Sequence, residues 1–152
     1  MPLTFQKENY DDFRLELMDL VIDHWQDVAL NKDTVPLNPN WETYGALCDQ
    51  GVAHVLTART EEGKLVGYSV CLMGPHLRYK DEKWAEGDVF FLHPEHRRGL
   101  AGLKMMKAVE EMMKALGATK IVQKVKLHRD VGKIFERLGY NAIERVYVKD
   151  LI

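Results

Sequence analysis

The sequence predicts one mixed α/β domain, and three observations carry that reading. Strand-like runs and amphipathic helical stripes alternate along the whole chain, with no repeat, linker or low-complexity stretch between them. The 152 residues are about the usual size for a domain that fills its own core. Hydrophobic residues at 46% and charged residues at 29% suit a soluble globule and argue against disorder.

Residues 3–7 read as a short opening strand. Asn9 is a candidate N-cap with Asp11 and Asp12 in the favourable first turn, and Phe13, Leu17, Leu20, Val21, Trp25 and Val28 form a helical stripe. Residues 31–40, with two prolines and three asparagines, read as a loop, and residues 41–50 as a short helix stopped at Gly51. Two strand-like runs, 53–60 and 65–73, flank Glu61-Glu62-Gly63-Lys64, which predicts a hairpin. Residues 74–83 are a polar loop, 84–92 a third strand ended by Pro94, and 103–116 the clearest helix, with Met106, Val109, Met113 and Leu116 on one face and Gly117 as its stop. A strand over 119–125, a short helix over 130–138 and a final strand over 141–148 complete the pattern. The seven methionines sit largely on the apolar helix face, where core filling explains them.

Charge narrows the function classes. With 21 basic and 23 acidic residues the net charge is -2, which gives no basis for nonspecific nucleic-acid binding. No apolar stretch approaches the roughly 20 residues that span a bilayer, and the opening residues lack the basic and apolar regions of a signal peptide, so a cytoplasmic location is expected. Cys48 and Cys71 show no CxxC spacing, and Cys71 lies in an apolar run that predicts a buried thiol. His24, His54, His76, His93, His96 and His128 show no HxxxH or HxH spacing, so no metal site is expected.

Chemistry concentrates in Val89-Phe-Phe-Leu-His-Pro-Glu-His-Arg-Arg-Gly-Leu-Ala-Gly102. A strand runs into a tight loop that opens directly into the long helix. The first helical turn leaves N–H groups unpaired and carries partial positive charge. Gly99 and Gly102 allow close approach of the backbone, and Arg97 and Arg98 add full charges, which together make an anion site fit for a pyrophosphate. On spacing alone, an ordinary strand–turn–helix connection with solvated arginines fits as well.

Here the sequence resembles the GNAT superfamily of acyl-CoA N-acyltransferases, whose signature is Gln/Arg-x-x-Gly-x-Gly/Ala. Arg97-Arg98-Gly99-Leu100-Ala101-Gly102 matches at its ends but has Leu100 at the central glycine. The shifted register His96-x-x-Gly99-x-Ala101 restores that glycine and loses the arginine. The first register is preferred, because Gly102 then stands 15 residues before Gly117. Phe135-Glu-Arg-Leu-Gly-Tyr140 is similar to another element of the family, and Pro75-His-Leu-Arg-Tyr79 with the arginine loop to a subset often encoded by bacteriophages. The resemblance implies a mixed, mostly antiparallel sheet flanked by helices, with acetyl-CoA in a cleft between two splayed strands, 84–92 and 119–125. Phe90, the backbone of Leu92, Arg97, Arg98, Gly99, Leu100, Ala101, Gly102, His128 and Phe135 would line the acetyl-CoA site. His128 stands where an Asn often contacts the cofactor.

Transfer to an amine needs its free base, which a positioned carboxylate can generate. Strand alternation puts Glu86, Asp88, Phe90 and Leu92 on one face, so Glu86 and Asp88 are the candidate bases, Glu86 first, unless a bulge breaks the parity. The family's usual acid is a tyrosine at the position of Phe135, which has no proton to give; Tyr140 and Tyr147 are nearby in sequence. The acceptor is expected on residues 13–40 and 74–83, with Trp25, His24, His76 and Tyr79 forming a partly aromatic pocket. Three readings stay open: acetylation of a primary amine on a small molecule or on a protein lysine or N-terminus, toxin-like acetylation of aminoacyl-tRNA, and a silent acyl-CoA-binding module. A homodimer is also compatible with the family.

Overall fold

Apolar runs of period two supply one sheet. In a computed structural model, which describes residues 2–152, β1 (Thr4–Glu8), β2 (Ala53–Arg59), β3 (Leu65–Pro75), β4 (Lys83–Leu92) and β5 (Lys120–Val122) lie side by side in chain order. The first four pair antiparallel, and β5 joins β4 in parallel. β3 is buried without interruption from Leu65 to Cys71, as a central strand covered on both faces must be.

Helices take the two faces. α1 (Tyr10–Val28) and α2 (Trp41–Asp49) cover one; Phe13, Leu17 and Leu20 pack there on Val55, Tyr68, Val70 and Phe91. Asn40 starts α2 by accepting a hydrogen bond from the Thr43 N–H at 3.0 Å. α3 (Ala101–Ala115) and α4 (Gly132–Arg137) cover the other face, where Met105, Met106, Val109, Met113 and Phe135 pack on Leu56, Val66, Ala85 and Leu92. Met105, Met106 and Met113 are thus core residues, and Cys71 is fully buried among them.

Two expected strands differ from the sequence pattern. β5 pairs over three residues rather than seven, because β4 and the chain after Val122 diverge beyond the Glu86–Val122 rung. The strand expected over 141–148 does not form: residues 141–152 extend beyond α4 in no ladder, and strand-prone residues need a partner to become a strand.

A β-bulge sits in the middle of β4. Val70 faces Val89 and Cys71 faces Gly87, so Asp88 is the extra residue. At the far end of this pair, Gly67 faces Leu92 so closely that a Cβ would meet the Phe91 carbonyl oxygen at 2.9 Å, Leu92 Cδ1 at 3.0 Å and Ala58 Cβ at 3.1 Å. Backbone cannot yield there. Gly67→Ala is expected to cost about 1–3 kcal/mol of stability, read as a lower urea midpoint at unchanged slope; a wild-type midpoint would show that the strands separate freely.

Candidate functional site

The cleft begins where the parallel ladder stops. Trp84, Ala85 and Glu86 pair with Lys120, Ile121 and Val122, and beyond that rung β4 continues alone. Gln123 fills the apex: its amide donates toward Met106 Sδ at 3.5 Å, and its side chain lies over Gly87, where a Cβ would meet it at 2.0 Å. His93 N–H donates to the Val66 carbonyl, which makes Gly67–Leu92 a non-hydrogen-bonded pair. The N–H and C=O groups of Leu92, and by the same alternation those of Phe90, therefore point away from β3 and toward the cleft.

The loop after β4 is held from inside. A short 3₁₀ turn, Pro94–His96, precedes Gly99, whose φ of 58° lies in the left-handed region, and α3 starts two residues later with no side chain capping it. The left-handed position is Gly99, one residue before Leu100, which stands at the central glycine of the preferred register. Gly102 faces α4: a Cβ would sit 3.2 Å from Ile134 Cδ1, so the close approach of α3 to α4 also draws on this glycine. Leu100 is exposed and Ala101 opens the helix.

The two arginines separate. Arg97 Nε donates to the Leu92 carbonyl at 2.5 Å, its Nη2 reaches Asp27 at 2.8 Å, and its guanidinium lies 5.3 Å from the Phe91 ring centroid. Arg129 grips the same carboxylate at 3.0 Å and donates to the Asp27 carbonyl, while His128 Nε2 lies 2.9 Å from the Val28 carbonyl. The end of α1 thus clamps the loops on both sides of the cleft mouth. Burial alone would raise the Asp27 carboxyl, but the Arg97 hydrogen bond and the charges of both arginines hold it below the usual carboxylate range. His128 and Arg97 both take part in this clamp. Arg98 is exposed and holds no carboxylate among the described residues.

The bulge overturns the expected parity. Phe90 and Leu92 pack toward α3, whereas Asp88 turns to α2 and Glu86 pairs across from Leu72, which packs on the α1–α2 side. Tyr44 of α2 donates to Asp88 Oδ2 at 2.5 Å, and Oδ1 has no hydrogen-bond partner among the described residues. Burial, and then Asp88, push the Tyr44 hydroxyl well above its ordinary range, so it stays a donor. Glu86 is half-exposed, 3.7 Å from Lys124. Phe135 is buried in the core against Tyr140, whose hydroxyl points to Met106 Sδ, and Tyr147 lies in the exposed tail.

The expected aromatic pocket is split. His24 stacks on Phe91 at 4.5 Å and lies 2.6 Å from the Tyr68 hydroxyl. His76 packs on Trp84 at 4.3 Å with Tyr79 beside it, seven residues away along β4 and so roughly 20 Å off. Tyr44, Asp27 and Arg129 escape sequence reasoning. Asp23 and Asp27, one helical turn apart, were the available signal, since like charges at that spacing call for partners. Among the described residues no three His, Cys, Asp or Glu side chains are grouped so as to hold a metal ion, and no helix is long and apolar enough to cross a membrane.

A four-stranded antiparallel sheet, a parallel fifth strand that splays away, and a glycine turn feeding a helix at the mouth define an acyltransferase-like cleft. The family model described as the acetyltransferase (GNAT) family matches residues 14–140, and the chain belongs to that family. The fold is shared at low identity with solved structures. A transcriptional regulator from Bacillus halodurans C-125 superposes with a TM-score of 0.78 at 20% identity, over 99% of this chain and 100% of its own. A ribosomal-protein-alanine N-acetyltransferase from Brucella melitensis biovar Abortus 2308 gives 0.73 at 19%, over 99% of each chain. Glucosamine-6-phosphate N-acetyltransferase from Arabidopsis thaliana gives 0.71 at 14%, over all of both. No curated protein matches the sequence significantly.

The site carries a pH signature. Burial pushes the His24 imidazole down to about 4, a shift that Arg97 and Lys126 reinforce and Asp27 opposes. The unfolded chain takes up this proton near 6.5, so between about 6.5 and 4 it binds more protons than the fold, and stability falls as pH falls through that window. The loss is at most about 3 kcal/mol. His24→Gln should lose less stability than wild type across the window in urea titrations; equal losses would mean that the imidazole titrates freely.

Proposed function

We propose that this chain transfers the acetyl group of acetyl-CoA to a primary amine, on a small molecule or on a protein lysine or N-terminus, with Asp88 as the base. The observation that carries the reading is that the Leu92 N–H and the backbone groups of Phe90, which all point away from β3, the Gly99 turn and the uncapped start of α3 all border one cleft. Acetyl-CoA supplies the activated acyl thioester. The N–H groups at the start of α3 and the guanidinium of Arg98 suit its pyrophosphate, and the Leu92 N–H suits the carbonyl groups of an extended arm.

Asp88 is favoured over Glu86 because the bulge sets it beyond the last rung and Tyr44 fixes one oxygen, leaving the other to take the proton of the amine directly or through water. A thiolate with a pKa near 8.5 leaves without a phenol, so Phe135 is compatible with turnover. The segment that covers Asp88 is acidic. Residues 1–52, which carry α1 and α2, hold ten Asp and Glu against three Lys and Arg, and the remaining 13 acidic and 18 basic residues reverse the sign. That favours a cationic acceptor over the negative backbone of a tRNA.

CoA release measured across small amines, peptides and charged tRNA tests the reading. Asp88→Asn is expected to lower kcat by about 100- to 10,000-fold with acetyl-CoA affinity nearly intact, and the rate should recover as pH rises. The same loss in Glu86→Gln alone would move the base to Glu86, and wild-type rates in both would end the carboxylate mechanism. Binding of acetyl-CoA without turnover on any amine would instead make the chain an acyl-CoA-binding module, as the missing phenol allows.

Arg98→Glu should weaken acetyl-CoA binding about tenfold or more in calorimetry, whereas Arg97→Glu should act first on thermal stability, through Asp27. Unchanged affinity in a folded Arg98→Glu variant would remove the pyrophosphate assignment.

A further inference from the structure

The wedge between β4 and β5 has a closed end, and one side chain closes it. Past the Glu86–Val122 rung the two strands part, and Gln123 is the first residue of the diverging chain. Its side chain crosses the split on the α3 side, with Nε2 3.5 Å from Met106 Sδ and Oε1 over Gly87. The crossing depends on that glycine: the three nearest atoms that a Cβ at position 87 would meet all belong to the Gln123 amide. Gly87 is therefore a space kept for Gln123. The amide oxygen has no hydrogen-bond partner among the described residues and is not sealed from solvent, so this end of the side chain borders the open wedge.

The mouth sets the direction in which an acyl-CoA would lie. The Gly99 turn and the start of α3, which suit a pyrophosphate, stand at the Leu92 end, and the Leu92 N–H and the backbone of Phe90 face the wedge next. From Leu92 to Asp88 an extended strand rises about 13 Å, a path that an extended arm can follow. Such an arm runs from the mouth toward the closed rung, and the carbon chain of its acyl group points on past Asp88 to Gly87 and Gln123. Asp88 turns to α2, so the amine comes from that side and leaves the end of the wedge to the acyl chain.

We infer that Gln123 determines which acyl group this chain accepts, by ending the wedge so that an acetyl chain fits and a butyryl chain does not. The inference rests on the acyl-CoA reading above and adds the feature that selects the thioester. Gly87 beneath the amide and Met106 behind it leave the side chain little room to withdraw, because Met106 is fully buried in the core. Packed walls of this kind yield poorly to added atoms. A pocket one methylene too short discriminates by about 10- to 200-fold, and butyryl carries two methylenes more than acetyl.

Calorimetric titration of the whole chain with free CoA, acetyl-CoA and butyryl-CoA reads the inference without an amine. Wild type is expected to bind acetyl-CoA at least about tenfold more tightly than butyryl-CoA. Gln123→Ala should nearly equalise the two affinities, through tighter binding of butyryl-CoA. Gln123→Asn, shorter by one methylene, should move the ratio the same way by a smaller amount, and it serves as the test should the alanine variant not fold. Gln123→Met, of similar length, should keep the wild-type preference. Equal affinities in wild type overturn the inference, as does an undiminished preference in the folded shortened variants. A preference lost as fully in Gln123→Met as in Gln123→Ala would show that the amide and not its length is read, and would overturn it too. Failure to bind free CoA and acetyl-CoA alike would instead remove the acyl-CoA reading, and this inference with it.

Discussion

Much of this structure depends on β4 having a partner on both sides for only its first rungs. Backbone N–H and C=O groups are obligatory hydrogen-bonding groups, and a strand that loses its neighbour while remaining in the sheet must place them elsewhere. β3 serves one side of β4 along its length, while β5 serves the other only as far as Glu86. Arg97 takes the Leu92 carbonyl, and the N–H beside it faces open cleft. A concave, polar-lined opening in an otherwise apolar interior thus arises from a lost ladder rather than from an added pocket.

The bulge at Asp88 exploits the same strand differently. Without it, strand alternation would put Asp88 on the side of β4 that packs on α3, among methionines. The extra residue lets Phe90 and Leu92 keep the methionine-rich core while Asp88 meets Tyr44 of α2. One strand thereby feeds the apolar core under α3 and, at the edge of the second core, sets a carboxylate against α2.

The sequence discloses the elements and the loop much better than their contacts. Periodicity locates α1, α2, α3 and the β2–β3 hairpin within a few residues, since each is decided by local apolar spacing, with a glycine to stop α2 and α3 and to turn the hairpin. The loop's one left-handed residue is Gly99, which local composition could not distinguish from Gly102. The parity of β4 is illegible because a bulge is a relation between strands: nothing in Gly87-Asp88-Val89 alone announces that Cys71 and Val70 will face unequal numbers of residues. The Asp27 clamp is equally nonlocal, joining residues 70 and 102 positions apart. The last strand fails for the opposite reason, as residues 141–148 have the right composition but no ladder within the chain.

The clamp itself bears on how a ligand would meet the cleft. Free arginines on loops sample many rotamers, and fixing one on binding costs conformational entropy of about 0.5–1.5 kcal/mol. Arg97 is already fixed, between a carboxylate, a carbonyl and an aromatic face, and Arg129 is anchored on the same carboxylate. The two loops that bound the mouth are therefore ordered before any ligand arrives, and their stiffness belongs to the helix end that carries Asp27. Recognition at this mouth is set by the shape it already has, with little left for a ligand to organise.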